Sequence, residues 1–322
     1  MRLIHVLHIF LLAALSGCLV SFQPSNSYTF DASGKEGVVL SFADNLPPDK
    51  VWQHSGLHVG LEIRNRGTSD VVDGLISIQG FDTKLVQGLY VEGSEENRFS
   101  LEGRSEINLN GGYEYKEYET YNIRFPDSET NFYDVPIKVV ACYPYYTVAN
   151  IPVCIDTIPA GGVKTDQTCY ISDKKISKGQ GAPIAVTYVN EYVTETQDPS
   201  IVDVTFEIKI ENEGDGEVFD IGKYDMPCLA SKYTSEDLWN NKGWVYPKVF
   251  VSDFEITDTC KPVDDVLMVP RIRLYNDEAV FVCTYSVPKE KDAHESVLRI
   301  VLEYGYSNSI QKKVEIVRSL ES

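Results

Sequence analysis

The cysteines are the residues of this chain whose spacing most clearly implies chemistry. Seven occur in 322 residues: Cys142, Cys154, Cys169, Cys228, Cys260 and Cys283, with Cys18 ending the run Leu15-Ser16-Gly17-Cys18. An even set beyond an apolar leader predicts a disulfide framework formed outside the reducing cytosol. Cys260 and Cys283 rank first as a pair, because they flank a predicted strand and their closure stabilises by about 3 kcal/mol. Cys142 and Cys154 face each other if the chain turns around Val148, which leaves Cys169 for Cys228. Metal is not predicted at these residues: there is no Cys-x-x-Cys, and no histidine is near any of them.

Catalytic signatures do not emerge. His54 and His58 lie four apart, but Gly56, Gly60 and the alternation that follows predict a turn running into a strand rather than a ligand pair on a helix. His294 sits in a polar stretch, 289–296, without a nucleophile motif around it. No phosphate-cradling glycine loop occurs, and carboxylates are too plentiful to select a hydrolytic pair. No catalytic residue and no cofactor is therefore assigned. Oxygen ligands concentrate in 211–217, making Glu213, Asp215 and Glu217 the calcium candidates, and Asp253, Asp258, Asp264 and Asp265 gather near a second loop. Neither follows the EF-hand spacing, and solvated turn carboxylates are the competing explanation.

Tyrosine is the clue to binding. In a long predicted strand Tyr113, Tyr115, Tyr121, Ile123 and Phe125 share one face, read as core, and Tyr118 takes the other. Tyr118 and the Tyr143, Tyr145 and Tyr146 turn are the candidate contact surface for a protein or glycan, with structural packing as the alternative.

These residues need elements to position them. Residues 1–17 form an apolar leader too short to span a bilayer comfortably. Residues 18–36, rich in serine with few large apolar groups, read as a flexible tether. The remainder predicts two domains, 37–157 and 182–320, joined by a glycine-bearing linker at 158–181. Two internal echoes support the division. Leu61-Glu62-Ile63-Arg64-Asn65-Arg66-Gly67 returns as Ile208-Lys209-Ile210-Glu211-Asn212-Glu213-Gly214, with Asn65 and Asn212 bonding across a turn and Gly67 and Gly214 supplying positive φ. Ile137, Val139, Ala141, Tyr143, Val153 and Ile155 map, 161 positions on, to Leu298, Ile300, Leu302, Tyr304, Val314 and Ile316. Each set occupies one face of a predicted closing hairpin. That register sets Glu303 against Glu315, a like-charge pair; a shift of two residues sets Glu303 against Lys313 instead.

Further strands are predicted at 38–42, 75–78, 113–125, 201–210, 249–256, 271–274 and 280–285, with Asn276-Asp277 as a tight turn. One short helix, 235–240, has Ser235 as its cap. The fold class is all-β: two tandem antiparallel sandwiches of immunoglobulin-like architecture with at most one short helix.

Leu15-Ser16-Gly17-Cys18 resembles the lipobox of bacterial and archaeal lipoproteins, which implies lipidation at Cys18; an ordinary secretory signal or an uncleaved anchor is the other reading. The alternating strand ending in Asn-x-Gly resembles the CARDB domains, extracellular β-sandwich adhesion modules of bacteria and archaea. The stretch Ala141-Cys142-Tyr143-Pro144-Tyr145-Tyr146-Thr147-Val148-Ala149, with Val153-Cys154-Ile155-Asp156 and Gly179-Gln180-Gly181-Ala182-Pro183, resembles uncharacterised cell-surface proteins of small-genome archaea. These resemblances imply a sandwich fold, a cell-surface address and a role in adhesion or envelope structure, with no catalytic motif to carry over.

A net charge of −19 repels nucleic acid and anionic headgroups, so the one membrane contact expected is the N-terminal lipid. Two function classes remain: a non-enzymatic, membrane-anchored surface protein serving as spacer or docking module, and a lipid-anchored binding protein that captures a ligand for a transporter. The second class is usually rich in helix, of which this chain shows almost none.

Overall fold

Period-two runs of β-branched and aromatic residues build almost every element of the computed structural model, which describes residues 30–157, 168–289 and 293–319. The first half contributes β1 (Val38–Phe42), β2 (Lys50–Trp52), β3 (Leu57–Asn65), β4 (Val71–Gln79), β5 (Val86–Gln87), β6 (Arg98–Leu101), β7 (Tyr113–Thr120), β8 (Asn122–Ile123) and β9 (Phe132–Ile155). The second contributes β10 (Lys174–Lys175), β11 (Ile184–Glu195), β12 (Ile201–Asn212), β13 (Glu217–Phe219), α1 (Ser235–Asn241), β14 (Trp244–Val251), β15 (Phe254–Glu255), β16 (Ile272–Arg273), β17 (Glu278–Pro288) and β18 (His294–Val317). The protein is an all-β sandwich built from antiparallel sheets, with the short β2 joining β18 as a parallel pair.

The centre of the fold is one ladder. β9 and β18, 24 residues each, pair antiparallel from Phe132–Val317 to Ile155–His294 without a break. The expected hairpins are therefore corrected: neither strand turns at its midpoint. Alternation of apolar residues is the same in a hairpin and in a straight strand, and nothing near Val148 forces a left-handed backbone. Glu303 accordingly meets neither Glu315 nor Lys313; it lies opposite Tyr146 and pairs with Lys248 at 2.6 Å. Pro144 and Pro152 fit because β4 pairs only with Lys138–Cys142, so both fall where β9 has one neighbour and a missing N–H is tolerated.

The 161-residue echo gains a geometric meaning. Pro144 and Gly305, equivalent in the repeat, are also register partners, so an approximate two-fold axis passes between them. On one side β4 and β6 extend the ladder, and on the other β14 and β15 do so. Its buried face is covered by two small sheets, β1-β3-β7 and β10-β11-β12-β17. Side chains from both halves form one continuous core, and Asp31–Ser322 is one compact unit.

Residues 31–36, expected as the end of the tether, are tied to the fold: Gly34 exchanges backbone hydrogen bonds with Lys178 and Gly181, and Lys35 pairs with Glu213 at 2.7 Å. Of the expected linker, 158–167 lies outside the described residues. α1 is capped by Thr234 rather than Ser235, because Thr234 and Asp237 complete a reciprocal capping box. Asn276 and Asp277 both take positive φ in the tight turn before β17, as their type predicts. His294 begins β18 instead of lying in a loop.

Candidate functional site

The ladder's midpoint brings together four tyrosines that the sequence assigned to two separate turns. Tyr143 pairs with Tyr306 and Tyr145 with Tyr304, and their rings make a closed circuit with centroids 5.5–6.3 Å apart. All four are buried, so Tyr143 and Tyr145 are withdrawn from the contact surface; of that turn only Tyr146 reaches solvent. Each hydroxyl is spent inside. Tyr143 accepts from the Val38 N–H at 3.0 Å and Tyr304 from the Ile184 N–H at 3.3 Å, fixing the first residue of β1 and of β11. Tyr145 donates to Asn65 Oδ1 at 3.1 Å, and Tyr306 to Asn212 Oδ1 at 3.2 Å. Burial pushes the acidity of all four hydroxyls far from neutrality, so they stay uncharged donors and acceptors.

The Asn-x-Gly echo follows from this junction. Asn65 is buried, accepts from Gly67 N–H and Tyr145, and donates to Ser69 O at 2.7 Å. Asn212 donates to Gly216 O at 2.9 Å. The expected positive φ at Gly67 and Gly214 is corrected: neither glycine adopts it. A side chain is excluded there by proximity, since a Cβ on Gly67 would stand 1.9 Å from the Tyr145 hydroxyl, and one on Gly214 2.4 Å from that of Tyr306. Glycine lets the tyrosine reach its asparagine.

All six cysteines beyond the leader are oxidised, as Cys142–Cys228, Cys154–Cys169 and Cys260–Cys283. The third is the expected pair; the first two replace the expected Cys142–Cys154 and Cys169–Cys228. With β9 unbroken, Cys142 and Cys154 lie twelve positions apart along one strand and cannot meet. Cys18 lies outside the described residues. Beside the second bridge, the buried Glu191 accepts from the Cys154 N–H at 3.2 Å, and its other oxygen has no partner among the described residues. Burial raises its carboxyl from the ordinary 4.5 to about 7. Between those values the folded chain holds a proton that the unfolded chain has released, so stability falls as pH rises through 7. Glu191→Gln is expected to flatten that fall, gaining about 2 kcal/mol at pH 8 relative to pH 5. Urea melts of both proteins at the two pH values check it, and parallel profiles would refute it.

The calcium candidates do not converge. Glu213 pairs with Lys35 and Glu217 with Lys242 at 2.5 Å, and no group of three potential ligands gathers among the described residues. Glu213 and Asp215 instead line a cleft of about 710 Å3 with β1 and the β18 edge.

Of the expected core face, Ile123 in β8 is buried and Phe125 packs against the core, but within β7 the expected faces are reversed. Tyr113, Tyr115 and Tyr121 are exposed, whereas Tyr118 is buried with its hydroxyl unpartnered among the described residues. Tyr118 is therefore withdrawn from the contact surface. Glu117 and Glu119 share the parity of Tyr113 and Tyr115, and this pair of charges is the signal that marks that face as outer. There His58 joins Glu117 at 3.1 Å and Tyr121 at 3.3 Å, in a solvated surface network.

One surface constellation was not anticipated. Around α1, β14 and β16 the rings and guanidinium groups alternate: Trp239, Arg273, Trp244, Arg271, Tyr246, with ring-to-cation distances of 5.5, 5.3, 3.8 and 5.6 Å. Arg271 is neutralised by Asp220 at 2.7 Å and Asp264 at 3.1 Å. Arg273 donates only to the carbonyls of Lys242 and Trp239 and, among the described residues, pairs with no carboxylate. It lines an open cleft of about 350 Å3 with Trp239, Tyr275, Lys242, Glu217, Asn276 and Asp277. Arg273 in the two-residue β16, with Arg271 just before it, forms no spacing pattern that would select the pair in advance.

No family model matches the chain, and no curated protein matches it either.

Proposed function

We propose that this is a non-enzymatic surface module, held at the outer side of a membrane through Cys18, that acts as a spacer or docking platform. Three disulfides suit an oxidising, extracytoplasmic compartment, and no described helix is long and apolar enough to cross a membrane. The observation that carries the docking role is the unbroken ladder. Ligand-capturing proteins that serve transporters close two bodies about a hinge, and closure here would have to bend two 24-residue strands across their shared hydrogen bonds. The resemblance of the Asn-x-Gly strands to CARDB adhesion modules points the same way.

Spin labels placed at the exposed Val91 and Val266, one in each half, test the rigid platform against the alternative of ligand capture. One narrow distance distribution, unchanged by periplasmic or medium extracts, is expected. A second, shorter population on adding extract would favour capture. Cys18→Ser is expected to move the protein from the membrane to the soluble fraction; retention at the membrane would overturn the lipid anchor.

A further inference from the structure

Arg273 combines three features in one place: a guanidinium with no carboxylate partner among the described residues, three surrounding rings and an open cleft. Its charge lies 5.5 Å from Trp239, 5.3 Å from Trp244 and 5.9 Å from Tyr275. Two of those rings are unusually bare, Trp239 at 66% and Tyr275 at 69% exposure. Large exposed aromatics bring contact area at little entropic cost, and they cluster where a ligand covers them. Asp277 adds a hydroxyl acceptor to the same cleft, and Glu217 and Lys242 line it as an ion pair 2.5 Å apart. A volume of about 350 Å3 suits one or two ring-sized units rather than a folded partner.

Resting on the docking role proposed above, we propose that this cleft binds an acidic polysaccharide, with a sugar ring laid against Trp239 or Tyr275 and its carboxylate on Arg273. A sugar ring is apolar on its faces and rimmed with hydroxyls, matching aromatic walls with polar residues at the edge. The carboxylate supplies the ion-pair partner that Arg273 lacks, in the planar geometry a guanidinium favours. The acidic remainder of the surface disfavours a polyanion at large, so recognition would centre on Arg273, the cleft's other cation, Lys242, being paired with Glu217.

Titration of the full disulfide-bonded protein with trigalacturonate, followed by tryptophan fluorescence and calorimetry, tests the assignment. Saturable binding is expected, at least tenfold tighter than for a neutral glucose trisaccharide. Trp239→Ala and Tyr275→Ala, both at exposed positions, are each expected to weaken it at least tenfold while leaving the melting temperature in place. Arg273→Gln is expected to erase the preference for the charged sugar. Absence of binding, equal affinity for both sugars, or an equally tight acidic tripeptide would each overturn the proposal. Sedimentation with isolated envelopes separates this result from the docking role. Co-sedimentation of wild type and Trp239→Ala alike would overturn the sugar site and support docking, and failure of both to sediment would overturn docking itself.

Discussion

Gly67→Ala is expected to cost at least about 3 kcal/mol, a large loss for a change of one methyl group. The added carbon would stand 1.9 Å from the Tyr145 hydroxyl, 2.6 Å from the Gly181 carbonyl oxygen and 2.7 Å from that of Glu36. None of the three can retreat cheaply. Tyr145 is buried in the four-ring circuit and bonded to Asn65, and the two carbonyls belong to backbone that joins the first small sheet to the segment before β11. Displacing the hydroxyl would also leave Asn65 Oδ1 with one donor fewer in a site closed to water. The check is a urea midpoint for Gly67→Ala alone and with Tyr145→Phe. Removing the hydroxyl from the variant should recover part of the loss, giving a coupling between the two sites. A near-neutral Gly67→Ala would show that the glycine is not there to admit the tyrosine.

Loss of the Cys142–Cys228 bridge should be the costliest of the three disulfide deletions. It closes 86 residues of sequence, against 23 for Cys260–Cys283 and 15 for Cys154–Cys169. On the chain-entropy model these loops correspond to about 4.6, 3.4 and 3.0 kcal/mol. Burial reinforces the order. Cys142 and Cys228 form a small apolar cluster with Leu75 and Val140 on the outer face of the ladder, and Cys228 sits in the turn at Met226–Lys232 that packs over β4 and β9. Replacing both members of each pair by alanine, then comparing urea midpoints at equal denaturant slope, checks the ranking. If the Cys142–Cys228 variant lost no more than the Cys154–Cys169 variant, the turn would be held by its other contacts instead.

Much of the architecture could be read from residue order, because its signals are local. Alternation located most strands, Asn276-Asp277 marked its turn, and the short loop between Cys260 and Cys283 made that bridge recognisable. The failures share a different cause. Whether Ile137 to Ile155 turns back or runs straight depends on a partner strand 161 residues away, and the alternating pattern is identical in both cases. That one ambiguity propagated into the two wrong cysteine pairs and the wrong partner for Glu303. The same distance hid the role of Gly67, whose conformation is ordinary and whose constraint comes from Tyr145. Tyr118 was misassigned because aromatic content outweighed the two glutamates on the opposite face. The Trp239 to Tyr246 stack combines residues from α1, β14 and β16, whose approach depends on tertiary packing.

The shared ladder also sets an order of events during synthesis. When residue 155 leaves the ribosome, the second half of β9 has no mate, because His294 to Val317 has yet to be made. At ordinary elongation rates that wait lasts about 10–30 s. Throughout it, Ala149, Ile151, Val153 and Ile155 form an unclaimed apolar ribbon on the nascent chain. Until that last stretch is translated, half of the central ladder has no strand to close its hydrogen bonds or cover its apolar face.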